Sequence, residues 1–297
     1  MIVFSARGRG GVHQLQFLPD GELAARTGTG LCVWDLDTQA LRIDDAGPAE
    51  VPFSFSPDGR CVVRFAPARG LGVYSLAGAD WDRLLPHSHH PDFLLWSSDG
   101  QKLAVGGHAN LRADDHFYRV SDWQPTPPFL TRRSAESRAG RIVPRRHATA
   151  SPDGRRAVSY AGGTLNLYDL TADKFVKEIT LPIEYPKPGL FTLDGSRFLV
   201  WSLFKIYAVD LDTGKVAVAY PACPRMVAAA TLTPDGRHLL QVSADRTVRV
   251  LDVATGRLVK DYAWSAGCLN AVAVSPDGLL AACGGTGGKV VVWDLDL

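Results

Sequence analysis

Short apolar, β-rich runs alternate with polar turn sequences along the whole chain. The C-terminal stretch displays the pattern plainly: Leu269 to Val274, the turn Pro276-Asp277-Gly278, then a second apolar run over 279–283. Proline presets the backbone for the first central position of a turn, aspartate tolerates the second, and glycine supplies the positive φ that follows. The same signal stands at Pro19-Asp20-Gly21, Pro57-Asp58-Gly59, Ser98-Asp99-Gly100, Pro152-Asp153-Gly154, Leu193-Asp194-Gly195 and Pro234-Asp235-Gly236. Successive turn glycines lie 38, 41, 54, 41, 41 and 42 residues apart. A third β-rich run follows each turn, over 31–36, 72–76, 117–120, 165–170, 206–211, 248–253 and 290–295, and a fourth follows most of these. Four short strands per unit, with no helical period between them, predict a blade, and a period near 40 predicts a repeat architecture.

At this point the residues resemble a known family. Trp34-Asp35 and Trp293-Asp294 close the third run of the first and last units, with Tyr168-Asp169, Val209-Asp210 and Leu251-Asp252 as degenerate forms. With Ser243 through Asp252 and Ser275 through Gly278, they look like WD-repeat sequence of a degenerate, bacterial-like kind. The resemblance extends over essentially the whole chain and implies an all-β, seven-bladed propeller of four-stranded antiparallel blades. One domain over residues 1–297 is expected, without room for a second. The chain stops at Leu297, after the third run of unit seven, and residues 2–6 form an orphan β-rich segment. Pairing the two would complete blade seven and close the seam, which would otherwise expose unpaired backbone groups.

The family usually places a Gly-His pair ahead of each unit, its histidine bonded inward to an aspartate, a serine or threonine and the tryptophan. Thirteen residues before each turn glycine this chain has Gly8, Ala46, His87, Arg141, Pro182, Cys223 and Ser265. Only His87 fits, so that hydrogen-bonded set is expected to be missing from most blades. Packing of Trp34, Phe53, Phe55, Trp96, Phe191, Leu232 and Val274 between sheets is expected to hold them instead.

Composition narrows the classes of function. The chain has 297 residues, 46% hydrophobic and 21% charged, a globular balance. Its 32 basic against 31 acidic residues give a net charge of +1, which recruits neither nucleic acid nor an anionic membrane. No apolar run reaches the roughly 18 residues of a membrane span, and the apolar N-terminus is too short for a signal peptide. The five cysteines are scattered without a CxxC pair, as expected of small buried hydrophobes in a reducing, cytoplasmic setting.

No HExxH, GxSxG or complete phosphate loop is present, and the Gly-Lys pairs at Gly214-Lys215 and Gly288-Lys289 are blade turns. The leading expectation is therefore a scaffold that is not an enzyme, needs no cofactor and is monomeric by itself. It would bind a protein or peptide, acidic in character, through its top face. The alternative is a propeller enzyme of lactonase or dehydrogenase type with a channel-mouth site, for which His13, Asp92, Arg146 and Lys187 begin their inner strands suitably. The 54-residue interval contains an inserted basic loop, about 121–147. Arg132, Arg133, Arg138, Arg141, Arg145 and Arg146 are opposed between Pro125 and Arg146 by Glu136 alone, a local +5 that leaves −4 elsewhere. Arginine binds planar anions bidentately, so this loop is the candidate partner contact, with Arg112, Asp114 and Asp115 from the top turn of blade three. A solvated surface loop is the bland reading, and a single basic loop is a poor nucleic-acid footprint. His87, His89 and His90, with nearby Asp92, invite a metal reading, but adjacent histidines rarely converge on one ion and a polar loop is the commoner outcome.

Overall fold

The structure is a computed structural model. It describes residues 1–6, 8–47, 53–66, 70–86, 91, 93–97, 99–106, 116–126, 149–161, 164–172, 174–181 and 187–297. All regular structure among them is β, arranged as seven antiparallel sheets that succeed one another along the chain as propeller blades. Sheet three has three strands, Phe93–Trp96, Lys102–Gly106 and His116–Arg119, and an isolated bridge from Tyr118 to Pro125 in the fourth place. Each of the other sheets has four strands.

The turns explain why the apolar runs pair as they do. In the last sheet the Ser275 hydroxyl donates to Asp277 Oδ1 at 2.5 Å and accepts from the Leu280 N–H at 2.8 Å. Asp277 in turn accepts from the Leu279 N–H, and Gly278 takes φ 76°, a left-handed value that disfavours side chains. A serine or threonine at the same place, Ser56, Ser97, Ser151, Thr192 and Thr233, closes the corresponding turns of sheets two to six. The hydroxyl bond holds the carboxyls of Asp99, Asp153, Asp194, Asp235 and Asp277 below the usual carboxylate range. In sheet one that position is Leu18, buried, and only its backbone closes the turn. The aspartate of the Trp-Asp signature caps the next turn: Asp35 Oδ1 accepts from both the backbone N–H and the hydroxyl of Thr38, and Asp252 does the same for Thr255.

The chain divides into two compact units, Met1–Glu50 with Leu203–Ile206 and Val218–Leu297, and Val51–Ser202 with Tyr207–Ala217. The first unit contains sheets six, seven and one. Sheet seven is completed by Ile2–Ser5, which pairs antiparallel with Lys289–Asp294 in the register Ile2↔Val292 to Ser5↔Lys289, as the orphan segment predicts. Phe4, Val12, Phe17, Trp34, Val290 and Val292 share one core between sheets seven and one. Val242, Val250, Leu269, Cys283 and Trp293 share another between sheets six and seven. In the second unit Val63, Leu71, Trp96, Leu103 and Tyr118 pack sheet two on sheet three. Val158, Leu167, Phe191, Phe198 and Val209 pack sheet four on sheet five. Of the packing residues expected from the sequence, Trp34, Phe55, Trp96 and Phe191 are buried, while Phe53, Leu232 and Val274 are only half-buried.

Candidate functional site

Every partner-contact residue expected from the sequence lies outside the described residues: Arg112, Asp114 and Asp115, and Arg132, Arg133, Arg138, Arg141, Arg145 and Arg146. So do His87, His89, His90 and Asp92. Among the described residues no group of three His, Cys, Asp or Glu side chains could hold a metal ion. Of the four side chains considered for a channel-mouth enzyme, His13 alone is described. It sits in the irregularity between Val12 and Gln14, opposite Thr27 and Arg26, and its pKa is lowered by burial and by the Arg26 charge.

In the first unit, the edge where second strands turn into third strands is built from turns and linkers knitted together by backbone hydrogen bonds. The Val227 N–H donates to the Leu203 carbonyl and the Cys223 N–H to the Phe204 carbonyl, each at 2.8 Å. Ala244 N–H then donates to Met226, and Trp264 N–H to Arg246. Gly287 and Thr286 donate to Ala266 and Cys268. This framework displays Leu203, Phe204 and Met226 at 43%, 48% and 38% exposure on adjoining backbone. Lys205, Arg225 and Arg246 follow or flank them.

Beneath the linker lies a polar cluster. Cys223 is buried, and its sulfur accepts from Gln241 Nε2 at 2.9 Å and from Arg249 Nη1 at 3.1 Å. The other prong of Arg249 donates to Asp245 Oδ2 at 2.7 Å, and Asp245 Oδ1 accepts from the N–H and hydroxyl of Thr247. Burial raises the Cys223 thiol, opposed by the guanidinium. The cluster pins residue 223 from below, so the linker presents 224–226 outward. All five cysteines are free thiols, and burial pushes Cys32 and Cys61 up to about 11 and Cys283 to about 12. Cys32, Cys61, Cys223 and Cys283 are therefore not poised nucleophiles at neutral pH.

Residues 256–294 match the WD domain, G-beta repeat family. That stretch is a WD repeat, set in a chain whose successive sheets follow the blade order of a β-propeller. The small ribosomal subunit protein RACK1 of Caenorhabditis elegans is 38% identical to it over 72 residues, 24% of this chain and 22% of that protein. The RACK1 protein of Neurospora crassa is 35% identical over 24% of this chain and 23% of its own length. The MST50-interacting protein 11 of Pyricularia oryzae is 33% identical over the same shares. The matched stretch thus spans less than a quarter of these relatives. Among solved structures, the computationally designed Ika8 protein superposes with a TM-score of 0.73 over 98% of both chains at 17% identity, a likeness of fold alone.

Within the propeller, Cys223 stands thirteen residues before Gly236, at the place where the family usually has its histidine. Sequence reasoning set this position aside because the residue type is wrong. The cluster is nonetheless built there, with Arg249 reaching across to the turn aspartate. The signal that could have found it is Asp245 and Arg249 within the stretch 243–252, four residues apart with both side chains able to meet at one sheet edge. In sheet seven Trp293 Nε1 is buried and has no hydrogen-bond partner among the described residues. Arg249→Ala is expected to lose about 1–3 kcal/mol, because it takes the charged donor from the Asp245 carboxylate and the Cys223 sulfur. Arg249→Lys should recover part of the loss, since one ammonium cannot serve both acceptors in the planar geometry of a guanidinium. Urea unfolding of the three proteins measures this, and equal midpoints would mean that the cluster contributes nothing.

Proposed function

We propose that the protein is a non-catalytic scaffold that binds a protein partner through this edge of its blades. The observation that carries the reading is the display of Leu203, Phe204 and Met226 on hydrogen-bonded turns, where side chains can be apolar without disturbing the cores. A contiguous apolar patch on a rigid support is what an interface needs, and Met, aromatic residues and Arg are the types enriched at interfaces. The names of two relatives, a ribosomal subunit protein and a protein named for an interaction, agree with a role in assembly. No helix among the described residues is long and apolar enough to cross a membrane. We read the chain as one propeller domain over 1–297, cytoplasmic and monomeric by itself.

The basic loop about 121–147 is the second proposed contact, on sequence grounds. Changing Arg132, Arg133, Arg138 and Arg141 together to Ser is expected to leave the melting temperature within a few degrees, since exposed substitutions cost little. Proteins retained by the immobilised wild-type chain should be identified by mass spectrometry and compared with those retained by this variant and by Phe204→Ser/Met226→Ser. A scaffold reading requires at least one retained protein that a variant loses. Retention of the same proteins by all three chains would place binding elsewhere.

A further inference from the structure

We infer that the edge bearing Leu203, Phe204 and Met226 takes an acidic peptide segment that inserts one bulky apolar side chain; this rests on the scaffold reading and specifies its partner.

Charge is the first argument. Lys205 follows Phe204, Arg225 precedes Met226, and Arg246 follows Asp245 in the neighbouring turn, whose Ala244 N–H is bonded to the Met226 carbonyl. Arg225 and Arg246 are exposed. The acid within these segments is Asp245, and its carboxylate is already engaged by Arg249 and Thr247, with 13% of the side chain exposed. The edge therefore presents cations around an apolar centre, and its complement is an apolar residue among carboxylates.

Backbone conformation is the second argument. Arg246 adopts φ 72°, in the left-handed region, with its N–H donating to the Ser243 carbonyl at 3.1 Å. Gly288 occupies the same position of the next sheet, with φ 67° and the same bond to Gly285. Glycine is the unstrained choice for this turn, and an arginine there is held at an energetic cost. A guanidinium presented to a carboxylate is a use that glycine cannot serve.

Preorganisation is the third. The Cys223 cluster fixes the linker from beneath, so Arg225 and Met226 are offered on backbone already held by five hydrogen bonds at residues 223, 226 and 227 and at the Cys223 sulfur. A rigid display lowers the ordering cost of binding. A single-stranded nucleic acid fits less well: Leu203 and Met226 are not stacking platforms, and three cations do not make a groove that follows a phosphate backbone.

The test is selection of a random peptide library, about 12 residues long, on the full chain. Selected peptides are then measured by fluorescence anisotropy at low and moderate salt beside a thymidine oligonucleotide of similar length. Enriched peptides should be net negative and share one large apolar residue. Phe204→Ser/Met226→Ser should weaken them about tenfold or more. Arg225→Ser/Arg246→Ser should weaken them several-fold at low salt and flatten the salt dependence. Melting curves matching wild type confirm that the variants fold, and a variant that does not is replaced by Phe204→Gln or by Arg225→Gln. Neutral or basic peptides, or tighter binding of the oligonucleotide, overturn the inference. Acidic peptides that bind all edge variants equally but fail on the four-arginine loop variant overturn it while leaving the scaffold reading standing. Enrichment of no peptide counts against both.

Discussion

A chain lacking Met1 to Ala6 is expected to melt more than about 10 °C below the full chain, or to be lost to aggregation on expression. The segment does two things at once. Its backbone pairs with Lys289–Asp294 over four residues, and Ala6 N–H adds a bond to the Gly288 carbonyl at 2.8 Å. Its Phe4 side chain is 5% exposed and stacks on Trp34 with ring centroids 5.3 Å apart, in the core shared by sheets seven and one. Removing a buried phenylalanine costs about 3–5 kcal/mol by itself. The paired strand would then become an unprotected edge whose side chains Val290, Val292 and Trp293 are almost fully buried, the kind of edge that recruits other chains. Against a total stability of about 5–15 kcal/mol, the sum leaves little margin. Phe4→Ala separates the terms, since it empties the core position and leaves the strand in place. Scanning calorimetry and soluble yield of the three proteins give the answer. A truncated chain melting with the full chain would mean that the pairing contributes nothing to the fold.

How much of this was legible depends on what each residue does. Asp-Gly turns, the third-strand aspartates and the orphan segment 2–6 are local or periodic features, and a period repeated along the chain survives the degeneration of single copies. The strand pairing of Ile2–Ser5 follows from a unit that lacks its outer strand. The polar cluster at Cys223 was not legible in that way, because it replaces a histidine by a cysteine and adds an arginine from the third strand of the same sheet. Motif reading compares residue types position by position, whereas hydrogen bonding needs only donors and acceptors that meet. Leu203, Phe204 and Met226 were missed for a related reason. Isolated apolar residues in turns are ordinary on any surface. They become a patch only because the Val227–Leu203 and Cys223–Phe204 backbone bonds bring segments some twenty residues apart together. Charge runs, by contrast, draw attention in a sequence whether or not they are used. The arginines of the loop about 121–147 illustrate it, and their role rests on the binding comparison proposed above.

Replacing either signature tryptophan by alanine is expected to cost about 3–5 kcal/mol, read as a lower denaturant midpoint with little change in slope. Trp34 is 3% exposed and Trp293 is 4%, each closing the third strand of its blade against a neighbouring sheet. The two should part company on conservative change. Trp293 packs against Tyr262 and Trp264 with centroids 5.4 Å away in both cases, and those two rings are stacked at 5.8 Å. Within that cluster Trp293 Nε1, Trp264 Nε1 and Tyr262 Oη are buried with no hydrogen-bond partner among the described residues. A buried donor without an acceptor carries its desolvation penalty, about 1–3 kcal/mol, into the folded state. Trp293→Phe removes one such donor while keeping most of the ring contact, so it should cost no more than about 1–2 kcal/mol, well under half of the alanine loss. Tyr262→Phe, which deletes a single unpartnered hydroxyl and no ring, should be neutral or slightly stabilising. Chemical unfolding of the four variants beside wild type checks the series. If Trp293→Phe proves as costly as Trp293→Ala, the indole N–H is being satisfied after all.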